Sequence, residues 1–133
     1  MVTADQLVAH VIGDYFLQSD WLASQKTTRA LPAAIHAILY SLPFLVFTRS
    51  PRALLVICVS HFVIDRWRLA RGVRWLTNRL APPHQSWAPE SGNCDDAVAR
   101  RTWLAQWLVI VVDNTLHVVI NSYSLRQARD KSW

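Results

Sequence analysis

Three apolar stretches of this 133-residue chain each carry one histidine and one aspartate, four residues apart. His10 precedes Asp14, His61 precedes Asp65, and Asp113 precedes His117. A fourth apolar stretch carries His36 alone. Residues four apart share one face of an α-helix. An imidazole or a carboxylate inside apolar sequence is costly to bury unless it pairs, loses its charge or meets a cation. Four imidazoles and three carboxylates suffice for one divalent ion or a bridged pair, and a nitrogen and oxygen donor set without thiolates suits Zn, Mn, Fe or Ni. Helical bundles build metal sites this way, with ligands facing inward from several helices. The expected metal ligands are therefore His10, Asp14, His36, His61, Asp65, Asp113 and His117. The expected cofactor is a divalent metal, with no organic cofactor.

The same pattern names the groups around such a site. One of Asp14, Asp65 and Asp113 can act as a general base instead of a ligand. Gln18 and Asn121 extend two of the stripes by a further turn, where they can orient ligands or bind a substrate. Arg66 and Arg68 follow the His61–Asp65 pair and either hold a phosphate or anionic headgroup or anchor a helix end. HExxH, a catalytic Ser or Cys motif and a phosphate loop are all missing, so a hydrolytic reading rests on metal-activated water. Two readings without an enzyme compete with it. In one, the pairs form a metal-free hydrogen-bond network or proton relay. In the other, they join helices of a small membrane protein that binds another membrane protein.

The elements that must position these residues read as helices. Apolar residues make up 52% of the chain and charged residues 17%, against about 25% charged in a typical soluble domain. Glycine is scarce, strand-like alternation is missing, and the length is that of one domain. The fold expected is all-α, a single helical membrane domain over residues 1–133 with about four helices. The first runs from Thr3 to Gln25, capped by Thr3 or Asp5. The second runs from Leu31 to Phe47, with Pro43 kinking or shortening it. The third starts at Pro51 and continues to about Leu80, its second half a basic amphipathic extension with Arg66, Arg68, Arg71, Arg74 and Arg79. A loop over residues 81–96 contains His84, expected at the surface. The fourth helix runs from Ala97 to Tyr123, capped by Asp95 or Asp96, and residues 124–133 form a polar, basic tail.

The formal charge of +5 admits nucleic acid or an anionic membrane as partner. The arginines flank apolar runs, and Trp21, Trp67, Trp75, Trp103 and Trp107 sit near run ends, as an interfacial belt would place them. No nucleic-acid motif is present. The expected partner is the lipid bilayer, with another membrane protein or a second copy of the chain on the interaction reading. Cys58 and Cys94 form no CxxC pair, and a cleavable signal peptide is not expected.

The motif His10-x-x-Gly13-Asp14-Tyr15-x-Leu17-Gln18-x-x-Trp21, with Lys26, Leu31, His36, Ser60-His61-x-x-x-Asp65 and Asp113…His117, resembles domain-of-unknown-function family 3307 (DUF3307). The likeness covers nearly the whole chain. It implies a small helical membrane protein of bacteria or their phages, located in the bacterial inner membrane, and it brings no activity with it. One departure is Asn114, which follows Asp113 where members often have Gln. More remotely, the His-x-x-x-Asp pairs are similar to those of membrane-bound metal-dependent hydrolases. That likeness implies hydrolysis of a lipid-like substrate.

Overall fold

The computed structural model describes residues 2–80 and 96–130, and the side chains of residues 2–80 and 103–130. Every element among them is helical, as expected, but the count of four is not kept. Six α-helices follow in order: α1 (Ala4–Val11), α2 (Asp20–Gln25), α3 (Ala30–Ser41), α4 (Pro51–Trp67), α5 (Leu69–Asn78) and α6 (Asp96–Asp130). A π-helical turn, Ile12–Phe16, follows α1, and a 3-10 turn, Leu42–Val46, follows α3.

The breaks have local causes. Thr3 caps α1 through a reciprocal box: its hydroxyl accepts from the Gln6 amide, and the Gln6 side chain accepts from the Thr3 amide. The first helix then widens at Ile12, where Leu17 N–H donates to Ile12 O five residues back. It stops before Ser19, which caps α2 through the Leu22 amide. Pro43 lies in the first turn of the 3-10 segment and ends the α-helical spacing of α3. The third predicted helix does not run on to Leu80. It turns at Arg68, whose φ of 52° is the one positive value at a non-glycine residue among the described residues. This left-handed cap lets the basic amphipathic segment fold back as α5 and pack on α6.

The expected tail also needs correcting. Residues 124–130 continue α6, and Ser124 and Leu125 are buried. They extend the stripe of His117 and Asn121 at helical spacing, so their polar composition hid an inward face. The loop expected at 81–96, with His84 and Cys94, lies outside the described residues except for Asp96, which opens α6.

Helix α4 is the centre of the arrangement and packs against both α3 and α6. Ser50 caps it and Pro51 begins it. Ala53, Ile57, His61, Ile64 and Asp65 form its buried stripe. Tyr40, Phe44, Ile57, Ala9 and Leu125 make the apolar core at one end. Polar groups share the rest of the interior with small and branched apolar side chains: His10, Asp14, His36, His61, Asp65, His117 and Asn121 are all buried. Large apolar side chains cover much of the outside instead, among them Phe16, Leu31, Val46 and Leu55, each more than 60% exposed. Within α6, Trp103–Asp130 is long and apolar enough to cross a membrane, and almost none of its most apolar 18-residue window is buried. The apolar segment Ala30–Val46 is shorter.

Candidate metal centre

The stripe on α4 delivers His61 and Asp65 to one point, one turn apart, with His61 Nε2 3.2 Å from Asp65 Oδ2. The same carboxylate oxygen lies 3.3 Å from His36 Nε2 of α3. The other oxygen, Oδ1, lies 3.5 Å from His117 Nε2 of α6. Asp14 Oδ1 comes in from the π turn, 3.2 Å from His36 Nε2 and 3.8 Å from His61 Nε2. Asp113 Oδ2 is 3.5 Å from His117 Nε2. Two groups result, and Asp65 belongs to both. The inner group is Asp14, His36, His61 and Asp65, all buried, with one ligand atom from each lying within 4.8 Å of the others. The outer group is Asp65, Asp113 and His117, and its Asp113 side chain is 26% exposed. Both groups can hold a metal ion.

The electrostatics favour positive charge here, part of which Lys26 supplies. His61 Nδ1 and His117 Nδ1 are 3.1 Å apart, so one ring donates to the other. A neutral imidazole has a single N–H. The ring that donates at Nδ1 is therefore bare at Nε2, and that lone pair faces carboxylate oxygen. His61 Nε2, His117 Nε2 and Asp65 Oδ2 are all buried without a well-formed hydrogen bond. Buried polar atoms of this kind are rare, and three directed at one small volume indicate a positive ion or proton between them.

Lys26, which the sequence presented as a residue of the family motif just past the first predicted helix, reaches into the inner group. Its ammonium lies 2.8 Å from Asp65 Oδ2, 3.7 Å from Asp14 Oδ1 and 3.3 Å from His36 Nε2, and it donates to Gln18 Oε1 at 2.8 Å. Burial pushes the Asp14 carboxyl up, but its hydrogen bond with His36 and the Lys26 ammonium outweigh this and hold it at about 2. Gln18 thus touches the centre through Lys26. Arg66 donates to Thr27 O at 2.8 Å and so ties the end of α4 to the turn that carries Lys26. Arg68 makes the left-handed turn between α4 and α5.

His10 is not drawn into either group. Its Nε2 lies 2.6 Å from Asn114 Oδ1, an oxygen that only accepts, so Nε2 carries the proton. Its bare Nδ1 then accepts from the Tyr40 hydroxyl at 2.7 Å, and Asn121 donates to that hydroxyl at 2.5 Å. Both ring nitrogens of His10 thus meet neighbours outside the two groups. His10 lies at the end of α1 and faces Tyr40 and Asn114, while Asp14 lies in the π turn and faces His36 and Lys26. Gly13 permits the turn to press on α3: a Cβ there would stand 2.8 Å from both Tyr40 O and Tyr40 Cδ2.

Tyr40, like Lys26, was not legible as part of the site. Its ring stacks on His61 with centroids 3.6 Å apart and an interplanar angle of 17°. A lone lysine beside a predicted break and a lone tyrosine in an apolar run carry little signal of their own. What singles them out is the polar interior they must face.

No curated protein and no solved structure matches the chain, and the remote likeness to membrane-bound hydrolases is not shown by any match. A family model does match, over residues 2–122, which takes in every group of the centre. The chain belongs to that family, described as protein of unknown function (DUF3307).

Proposed function

We propose that this is a membrane-embedded metal protein of the bacterial inner membrane, whose His/Asp centre holds a divalent ion (Zn, Mn, Fe or Ni) and hydrolyses a lipid-like substrate. The observation that carries the metal reading is His117 Nε2, buried and without a hydrogen bond, facing Asp65 Oδ1 and Asp113 Oδ2 at 3.5 Å each. An ion there supplies activation of a water for hydrolysis. Asp113, the exposed carboxylate of the centre, gives that water a way in. The membrane reading is supported by the inversion of the usual pattern: ionisable groups fill the interior while Leu, Val, Phe and Trp cover the outside. Trp103–Asp130 of α6 is the crossing segment, with α3 and α4 packed beside it.

Two measurements test this. Protein purified in detergent, without added metal or chelator, is assayed for metal by ICP-MS beside Asp65→Asn. Metal near one ion per chain that disappears in Asp65→Asn supports the reading, because Asp65 serves both groups. Washing the source membranes with alkaline carbonate should leave the protein in the pellet. Release into the supernatant contradicts the embedded state.

One observation favours a second reading. The Lys26 ammonium already neutralises a buried carboxylate. A folded wild-type protein without metal supports the interaction protein, in which the pairs hold helices together and the exposed apolar faces meet another membrane protein or a second copy.

A further inference from the structure

The two ligand groups share Asp65 and differ in what stands among their atoms. In the inner group the Lys26 ammonium lies 2.8 Å from Asp65 Oδ2, 3.7 Å from Asp14 Oδ1 and 3.3 Å from His36 Nε2, and so fills the place among them with positive charge. Gln18 accepts from the same ammonium, and Arg66 pins the turn that carries it. Lys26 is thus held by built contacts on a short tether. The outer group has no such residue among the described residues. His117 Nε2, buried and without a hydrogen bond, faces Asp65 Oδ1 and Asp113 Oδ2, each 3.5 Å away.

We infer that Lys26 is the resident cation of the inner group and that a single divalent ion is taken by the outer group, by Asp65, Asp113 and His117. This inference rests on the metal reading above and says which atoms serve it. Charge supports the division. Asp14, Asp65 and Asp113 are balanced by one ammonium and one divalent ion, with the imidazoles neutral. A second divalent ion beside the ammonium leaves the buried centre two charges in excess, which a low-dielectric interior penalises heavily. Proton placement agrees. His117 donates from Nδ1 to His61 Nδ1 and keeps Nε2 bare for the ion, the arrangement that orients histidine ligands. His61 then carries its proton on Nε2, facing Asp65 Oδ2. The oxygen of Asp65 held by Lys26 is the one turned from His117, so Lys26 acts as a positioning residue for the ligand oxygen. Three protein ligands with one partly exposed also leave room for a water, as in hydrolytic sites and unlike closed structural ones.

The test is metal stoichiometry on detergent-purified full-length protein, saturated with Zn(II) or Mn(II), desalted and measured by ICP-MS, with circular dichroism confirming helical content. Wild type should hold about one ion per chain. Lys26→Met should hold about two, and adding Asp14→Asn to it should return the value to one. Asp113→Asn, which keeps the side-chain volume, should hold none, while Asp113→Glu should retain the ion. Two ions in wild type, one ion in Lys26→Met, or an ion retained in Asp113→Asn overturns the inference and leaves the metal reading standing. No ion in folded wild type withdraws both. If Lys26→Met loses its helical content, the Asp113 pair and Asp14→Asn alone, which should keep one ion, decide the matter.

Discussion

The chain writes the motif His-x-x-x-Asp twice and folds it in two different ways. On α4, regular α-helical spacing places His61 and Asp65 one above the other, 3.2 Å apart, and both enter the centre. At the N-terminus the π turn intervenes, and His10 and Asp14 part company. Asp14 joins His36 and Lys26, while His10 turns to Tyr40 and Asn114. Identical spacing thus sends both members of one pair into the polar centre and only the aspartate of the other. The lesson is that an i, i+4 argument places two side chains on one side of a helix but does not say which neighbours each meets, and Tyr40 and Asn114 are the neighbours that engage His10 here.

The comparison can be broken from either side. The largest effect is expected at Asp65→Ala, which strips the common carboxylate from His36, His61, His117 and Lys26 at once. Removing one partner of a buried ionic network costs about 3–5 kcal/mol, a large share of a domain's stability. Denaturant unfolding followed by circular dichroism should show this, and an unchanged midpoint would mean the convergence is not real. Next comes Gly13→Ala. The new methyl group meets the Tyr40 backbone at 2.8 Å, and overpacking of that kind costs about 1–3 kcal/mol. Thermal unfolding of this variant tests whether the close approach of the π turn and α3 is needed.

His10→Ala sharpens the contrast directly. It leaves the Tyr40 hydroxyl and the Asn114 amide short of a partner, at about 1–3 kcal/mol. Its metal content should equal that of wild type. A lost ion would put His10 back among the ligands. The smallest effect belongs to Arg71→Ala on the exposed face of α5, expected within about 0.5 kcal/mol of wild type with metal unchanged. Only the binding of vesicles containing anionic lipid should weaken.

What the sequence disclosed follows the same division. The all-α class, the apolar runs, and the residues Asp14, His36, His61, Asp65, Asp113 and His117 were legible because costly side chains recurred at helical spacing. Hidden from it were the features set by local geometry or by tertiary contact. Nothing in a linear reading brings Tyr40 and Asn114 to His10, so its place outside the two groups was not legible. The left-handed turn at Arg68 fell at a residue type that rarely adopts it, so one helix was read where two stand. Ser124 and Leu125 looked like a tail because one inward stripe of α6 is polar. Lys26 was legible as a motif residue but not as part of the centre, because nothing in a linear reading brings its ammonium 2.8 Å from Asp65, a residue on another helix.

The central claim, that the buried carboxylates and imidazoles form a metal centre, is tested most directly by X-ray absorption spectroscopy at the edge of the metal that copurifies. The account predicts a first shell of oxygen and nitrogen, outer-shell scattering from imidazole, and no sulfur. The imidazole signal should disappear in His117→Ala. A shell of oxygen alone, or one containing sulfur from Cys58 or Cys94, would contradict it.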